Sequence, residues 1–150
     1  MKKLTLNQII KKIKKIKFPK FDLIIAIGKD GIMPASLLKH YLNLPIQVIW
    51  LNYRNKNNKP IRKEPILKKP LDKKLKRLKN KKILLVDTVS RTGKTLNKAK
   101  ELLKLSNESK KGFGKTKFLQ KNNKIKTFVV NGKADYSLYN FKECIKWPWD

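Results

Sequence analysis

Residues 83–96 read ILLVDTVSRTGKTL. The apolar run is a buried strand, and it ends on Asp87. The chain then passes through Thr88, Ser90, Arg91, Thr92, Gly93, Lys94 and Thr95. Leu96, Ala99, Leu102 and Leu103 follow at the spacing of one helix face. A strand, a turn rich in hydroxyls and glycine, and a helix start make an anion site. The first N–H groups of a helix have no internal partner, and its dipole favours negative charge there. Residues 83–96 therefore form a phosphate-binding loop, and the rest of the chain must say which phosphate.

Outward from this loop, strands alternate with helices. Residues 21–28, FDLIIAIG, are an apolar strand closing on glycine. Residues 33–43 follow as a helix with Pro34 in its first turn and Leu37, Leu38, Tyr41 and Leu42 as its apolar face. IQVIWL, residues 46–51, is a second strand, ILLVD the third and IKTFVV, residues 125–130, a fourth. Residues 1–17 place Leu6, Ile9, Ile10, Ile13 and Ile16 at helical spacing opposite lysines. Such a helix packs on the domain's own sheet or lies on an anionic membrane, and the first is expected here. Residues 52–70 lack periodicity and are expected to form a mobile loop with a short extended piece at 65–67. A short lysine-rich helix at 72–78 leads into the third strand, and residues 134–150 are extended. The alternation predicts an α/β fold with a central, mostly parallel sheet. Ligands of such sheets sit beyond the carboxyl ends of the strands, where residues 28–31 and 87–95 both fall. The two turns are expected to share one ligand.

Composition narrows the setting. A chain of 150 residues, 40% apolar, suits one domain with one core. Lys+Arg 39 against Asp+Glu 10 gives a net charge of +29. That charge fits either a polyanionic partner such as RNA, bound with release of counterions, or lysine-rich solvated faces with weak, nonspecific affinity. Residues 106–124 are a polar, basic insertion in which Phe113 and Phe118 interleave with lysines. The pattern is compatible with base stacking, but a solvated loop is the expectation. Cys144 is the only cysteine, which excludes an internal disulfide and a cysteine-based metal site. No run approaches the roughly 18 apolar residues of a membrane span, and a cytoplasmic protein without membrane contact is expected.

Two kinds of phosphate loop compete. A nucleoside-triphosphate loop, GxxxxGK[ST], would need a glycine where Thr88 stands, and a β-branched residue suits that open turn poorly. Residues 112–116, GFGKT, place Ser109 at the first glycine and follow no apolar strand. The better match is an apolar strand, acid, then a Thr-Gly turn entering a helix. That pattern resembles the signature of the type I phosphoribosyltransferases, which use phosphoribosyl pyrophosphate (PRPP). A carboxylate at the strand end accepts the ribose hydroxyls, and the helix N-terminus holds the 5′-phosphate.

The resemblance covers nearly the whole chain apart from residues 106–124. IIAIGKDGIMPA is similar to the family's pyrophosphate loop, and residues 53–71 lie where the family has its flexible catalytic loop. FVVNGKADY, followed by CIKWPWD, resembles the C-terminal hood of the small xanthine-guanine and hypoxanthine enzymes, here residues 131–150. The resemblance implies transfer of a phosphoribosyl group to a 6-oxopurine, with Mg²⁺ as cofactor, and a homodimer. Asp87 would bind the ribose, and through it the metal, indirectly. Thr88, Ser90, Arg91, Thr92, Gly93, Lys94 and Thr95 would complete the ribose and 5′-phosphate site. Gly28, Lys29, Asp30 and Gly31 would hold the pyrophosphate, and Lys133, Cys144, Ile145 and Trp147 the base. Trp147 and Trp149 are expected mainly to pack the hood.

The PRPP motif is divergent. Thr88 replaces the family's second acid, and loss of one charged hydrogen bond of about 1.5–3 kcal/mol would weaken ribose binding roughly ten- to hundred-fold. Arg91 stands where the purine enzymes place a catalytic aspartate, so general acid–base help of about 10²–10⁴ is in question. Asp30 replaces the first glycine of the pyrophosphate loop, and Cys144 an aromatic residue that stacks on the base. A protein of this fold kept for binding PRPP, a nucleotide, an alarmone or RNA is therefore the second expectation.

Overall fold

The structure, a computed structural model, describes residues 1–55, 59–109, 116–120 and 122–150. The elements run β1 (Lys2–Lys3), α1 (Leu6–Lys14), β2 (Leu23–Ile27), α2 (Gly28–Leu42), β3 (Ile46–Ile49), β4 (Leu51–Asn52) and β5 (Ile66–Leu67). They continue with α3 (Lys73–Lys76), β6 (Lys82–Ser90), α4 (Lys94–Lys104), β7 (Leu105–Ser109), β8 (Thr116–Gln120), β9 (Lys124–Gly132), β10 (Tyr136–Tyr139) and β11 (Ile145–Lys146).

The central sheet has the order β10-β9-β6-β2-β3, and each neighbouring pair is parallel. Its middle strands are apolar over residues 23–27 and 83–86 because both faces are covered there. Alternate residues point to opposite faces, so the sequence of each strand feeds two cores. Ile24, Ala26, Leu84, Val86, Phe128 and Val130 meet Ile9 and Ile13 of α1 and Ala35 and Leu38 of α2. On the other face Leu23, Ile25, Ile27, Ile83, Leu85 and Val129 meet Leu75 of α3 and Leu96, Ala99 and Leu103 of α4. The apolar stripe of α1 is thus committed to the domain's own sheet. Ile9 and Ile13 are buried, each burial contributing about 1.5–3 kcal/mol. No helix among the described residues is long and apolar enough to cross a membrane.

The expected elements form, with informative shifts. The N-terminal helix starts only at Leu6, where Thr5 caps it: Gln8 N–H donates to Thr5 Oγ1 at 3.2 Å, and Thr5 N–H to Gln8 Oε1 at 2.9 Å. Residues 2–3 instead pair in parallel with β11. Helix α2 begins at Gly28, five residues before the expected start, so Pro34 lies inside it rather than in its first turn. Tyr41 is exposed on that helix, not part of its packed face. Strand β6 runs past Asp87 to Ser90, because β9 accompanies it: Val89 pairs with Asn131 and Ser90 with Gly132.

Two expected loops contain paired backbone. Leu51 and Asn52 pair antiparallel with Leu67 and Ile66, and Ile61 N–H donates to Tyr53 O at 2.9 Å. Residues 105–109 and 116–120 form an antiparallel pair, with Leu105 opposite Gln120 and Ser109 opposite Thr116. The solvated loop expected there is corrected accordingly. Main-chain pairing needs no apolar alternation, so a polar sequence conceals it. Phe113 lies outside the described residues. After β9 the chain doubles back to begin β10, and Asp135 secures the return: its Oδ2 accepts from Thr127 N–H at 2.8 Å, and its own N–H donates to Thr127 Oγ1 at 2.9 Å.

Candidate active site

Strand β2 leads through α2 to β3 on one side, whereas β6 lies on its other side. The chain therefore changes direction across the sheet between β2 and β6, and crevices open at such switch points. A cleft of about 800 Å³ lies there, over the carboxyl ends of β2, β3 and β6. Gly28, Lys29 and Asp30 line one side of it. Asp87, Thr88, Ser90, Arg91, Thr92, Gly93, Lys94 and Thr95 line another. The hood contributes Ile145, Trp147, Trp149 and Asp150.

Three residues named from the sequence are not among the lining. Gly31 is buried against the sheet, and a Cβ on it would lie 2.6 Å from the Val86 carbonyl oxygen. Its missing side chain lets α2 abut β6. Lys133 is exposed, and its backbone N–H donates to Ser90 O at 3.2 Å. Cys144 is exposed too, its carbonyl accepting from Lys2 N–H at 3.0 Å. Conversely, Trp50, Tyr53, Arg54 and Lys68 line the cleft without having been singled out as site residues. Trp50 is legible in principle, since it follows a strand at its carboxyl end, but in the run IQVIWL its ring reads equally as part of the strand.

Each turn has a local cause. Gly28 takes a φ of 55°, turning β2 directly into α2 with no connecting loop. Gly93 takes a φ of 78° just before α4, which opens the helix start toward the cleft. Asp87 ends the apolar run of β6, and its Oδ1 accepts from the Thr88 N–H at 2.7 Å. Desolvation by burial raises its pKa to about 7; the Thr88 bond opposes that rise and the charge of Asp30 adds to it. Ser90 Oγ is buried and, among the described residues, has no hydrogen-bond partner.

The cleft lining is more basic than acidic: Lys29, Arg54, Lys68, Arg91 and Lys94 share it with Asp30, Asp87 and Asp150. Lys94 reaches the segment between β4 and β5, its Nζ donating to Lys63 O at 3.2 Å. In the hood the rings of Trp147 and Trp149 stack, with centroids 5.6 Å apart and planes within 4°. Asp150 closes the turn beneath them, its Oδ2 accepting from Trp147 N–H at 2.9 Å. Among the described residues no three His, Cys, Asp or Glu side chains gather as a metal site. A basic cleft at strand ends and helix starts suits a phosphorylated ligand.

Comparison with known proteins gives the same direction. A search of curated proteins finds no match. Among solved structures, a purine phosphoribosyltransferase from Pyrococcus horikoshii is 25% identical, with a TM-score of 0.72 over 99% of this chain and 93% of that one. A Neisseria gonorrhoeae protein solved with ppGpp bound is 25% identical, with a TM-score of 0.69 over 99% and 89%. A hypoxanthine phosphoribosyltransferase from Staphylococcus aureus shares the fold at 18% identity, with a TM-score of 0.62 over 91% and 74%. The phosphoribosyl transferase domain model matches residues 3–110, and the chain belongs to that family.

Proposed function

We propose that the protein transfers the phosphoribosyl group of PRPP to a purine base, a 6-oxopurine (guanine, hypoxanthine or xanthine), giving the nucleotide and pyrophosphate. One observation carries this reading: a basic cleft at the sheet's switch point joins an acid at a strand end to two glycine-bearing helix starts. It is supported by membership of the phosphoribosyl transferase family and by likeness to the P. horikoshii purine enzyme.

In this reading a ring nitrogen of the base forms the new bond to ribose C1′ as the C1′–pyrophosphate bond breaks, the electron pair leaving with pyrophosphate and the ring N–H proton passing to water. Asp87 accepts the ribose hydroxyls. Backbone N–H groups of residues 92–95, at the start of α4, hold the 5′-phosphate, with Arg91 adding charge. Residues 28–31 receive the pyrophosphate. The oxocarbenium-like transition state is stabilised by positioned charge. Mg²⁺ would fit the donor set: Asp30 and Asp87 are carboxyl groups on one cleft, and a divalent cation there would relieve the repulsion from Asp30 that adds to Asp87's raised pKa. It would neutralise charge on the leaving pyrophosphate. Ile145 and Trp147 face the base, whereas Lys133 would have to reach it from outside the present lining.

The test is incubation with PRPP, Mg²⁺ and each purine base, following pyrophosphate release and nucleotide formation. Turnover with one base is expected, and Asp87→Asn should reduce it below detection. Unchanged turnover in that variant would refute the ribose assignment. A second reading is a binding protein that recognises a guanosine polyphosphate without turnover. The N. gonorrhoeae relative favours it, as does Arg91 at the purine enzymes' acid position. No turnover with any base, together with tight ppGpp binding by calorimetry, would establish it instead.

A further inference from the structure

We propose that Thr88 is a positioning residue whose hydroxyl replaces the backbone donor that Pro34 removes from α2, fixing the turn at residues 28–31 in its anion-binding form. Its effect on ligand binding rests on the reading of that turn as the pyrophosphate site.

In an α-helix the N–H of each residue donates to the carbonyl four residues earlier. Position 34 would serve the carbonyl of Asp30, but proline has no N–H. The Asp30 carbonyl is left without its helical donor in the first turn, the part of α2 that faces the cleft. Thr88 fills the gap from another element: its Oγ1 donates to Asp30 O at 2.5 Å, across 58 residues of sequence. Thr88 is 3% exposed, so this hydroxyl is held away from competing water. Its β-branched side chain has few rotamers to lose, which makes it a stiff connector.

The contact depends on how closely α2 approaches β6. A Cβ at Gly31 would meet the Val86 carbonyl at 2.6 Å and lie 3.5 Å from Asp87 Cα, so only glycine admits this separation. Gly31 sets the distance and Thr88 uses it. Thr88 therefore has an occupation of its own in this chain and is more than a missing acid. An ionised carboxylate there could not donate to Asp30 O and would crowd a third negative group beside Asp30 and Asp87. A carboxylate in place of Thr88 should harm this protein.

The experiment uses the full chain as wild type, Thr88→Ser, Thr88→Val and Thr88→Asp. Hydrogen exchange is followed at the Ile32, Met33 and Ala35 amides, and inorganic pyrophosphate is titrated by calorimetry. Thr88→Ser should keep wild-type behaviour. Thr88→Val and Thr88→Asp should each speed exchange at those amides about tenfold and weaken pyrophosphate roughly tenfold, the loss of one hydrogen bond of this class, while Leu84 to Val86 stay protected. In a Pro34→Ala background the restored N–H can serve Asp30 O, so Thr88→Val should then have little further effect. Unchanged exchange in Thr88→Val, or an equal effect with and without Pro34, would overturn the proposal. Wild-type protein that binds no pyrophosphate would overturn the ligand assignment of residues 28–31, and the exchange and Pro34 results would still decide the hydroxyl's role.

Discussion

Asp87 is an acid that its surroundings keep from ionising easily, and its pH behaviour follows with a definite sign. Its ordinary value of 3.8 rises to about 7 in the fold, chiefly through desolvation. Between those values the native state holds a proton that the unfolded chain has released, so this residue's contribution to stability falls as pH rises through the window. Asp87→Asn removes that penalty. Denaturant titrations should show the variant gaining on wild type from pH 5 to pH 8, and a constant difference would contradict the shift. Binding should run the other way. Ribose hydroxyls donate best to the ionised carboxylate, so PRPP affinity should climb through about pH 7 in wild type and lose that inflection in Asp87→Asn, as measured by calorimetry. Asp87 was legible because an acid ending an apolar run is conspicuous. The burial that shifts its pKa was not, because Asp30 and Thr88 come from distant sequence or gain their meaning only after folding.

Helix α2 and the terminal strands make the corresponding case for elements. Gly31→Ala brings a Cβ against the main-chain oxygen of Val86, which cannot rotate away. Overpacking of this kind costs about 1–3 kcal/mol, and calorimetry should find a melting point lower by several degrees. The early start of α2 was hidden because Pro34, which suits a helix's first turn, and Gly31 both argue against a helix already running through 28–33, whereas Gly28's φ of 55° lets the chain begin one directly. Similarly, β1 is too short and too charged to announce itself. Lys2 N–H donates to Cys144 O at 3.0 Å and Leu4 N–H to Lys146 O at 3.2 Å, tying the N-terminus to the hood. Lys2→Pro should raise hydrogen exchange at residues 144–147 and leave β6 protected; equal exchange would show that the hood holds itself.

Across the molecule as a unit, 39 basic residues face 10 acidic ones, so most lysines have no acid to pair with. Lys98 and Glu101 do pair, at 3.7 Å, on an exposed turn of α4 where the gain is small. Such a surface attracts polyanions through released counterions, and that attraction is strongly salt-dependent. Single-stranded RNA binding should fall by about 10³ or more between roughly 50 and 200 mM salt, whereas PRPP binding, confined to the cleft, should fall far less. RNA affinity that persists at the higher salt would point to a built nucleic-acid site.

The parallel α/β architecture, the order of its main strands and helices, and the two glycine turns can all be read from the residues in order. They depend on local patterns: apolar runs of strand length, helical spacing, and glycine where the backbone needs a positive φ. Residues 83–96 already carried the strand, the glycine turn and the helix start for that reason. What sequence order could not convey is contact between remote backbones. The pairing of β1 with β11, the placement of Lys133 and Cys144 outside the cleft, and the reach of Thr88 to Asp30 all arise when elements remote in sequence are brought together. Hydrogen bonds there join groups that every residue, or any hydroxyl, possesses, so no residue type marks them in advance.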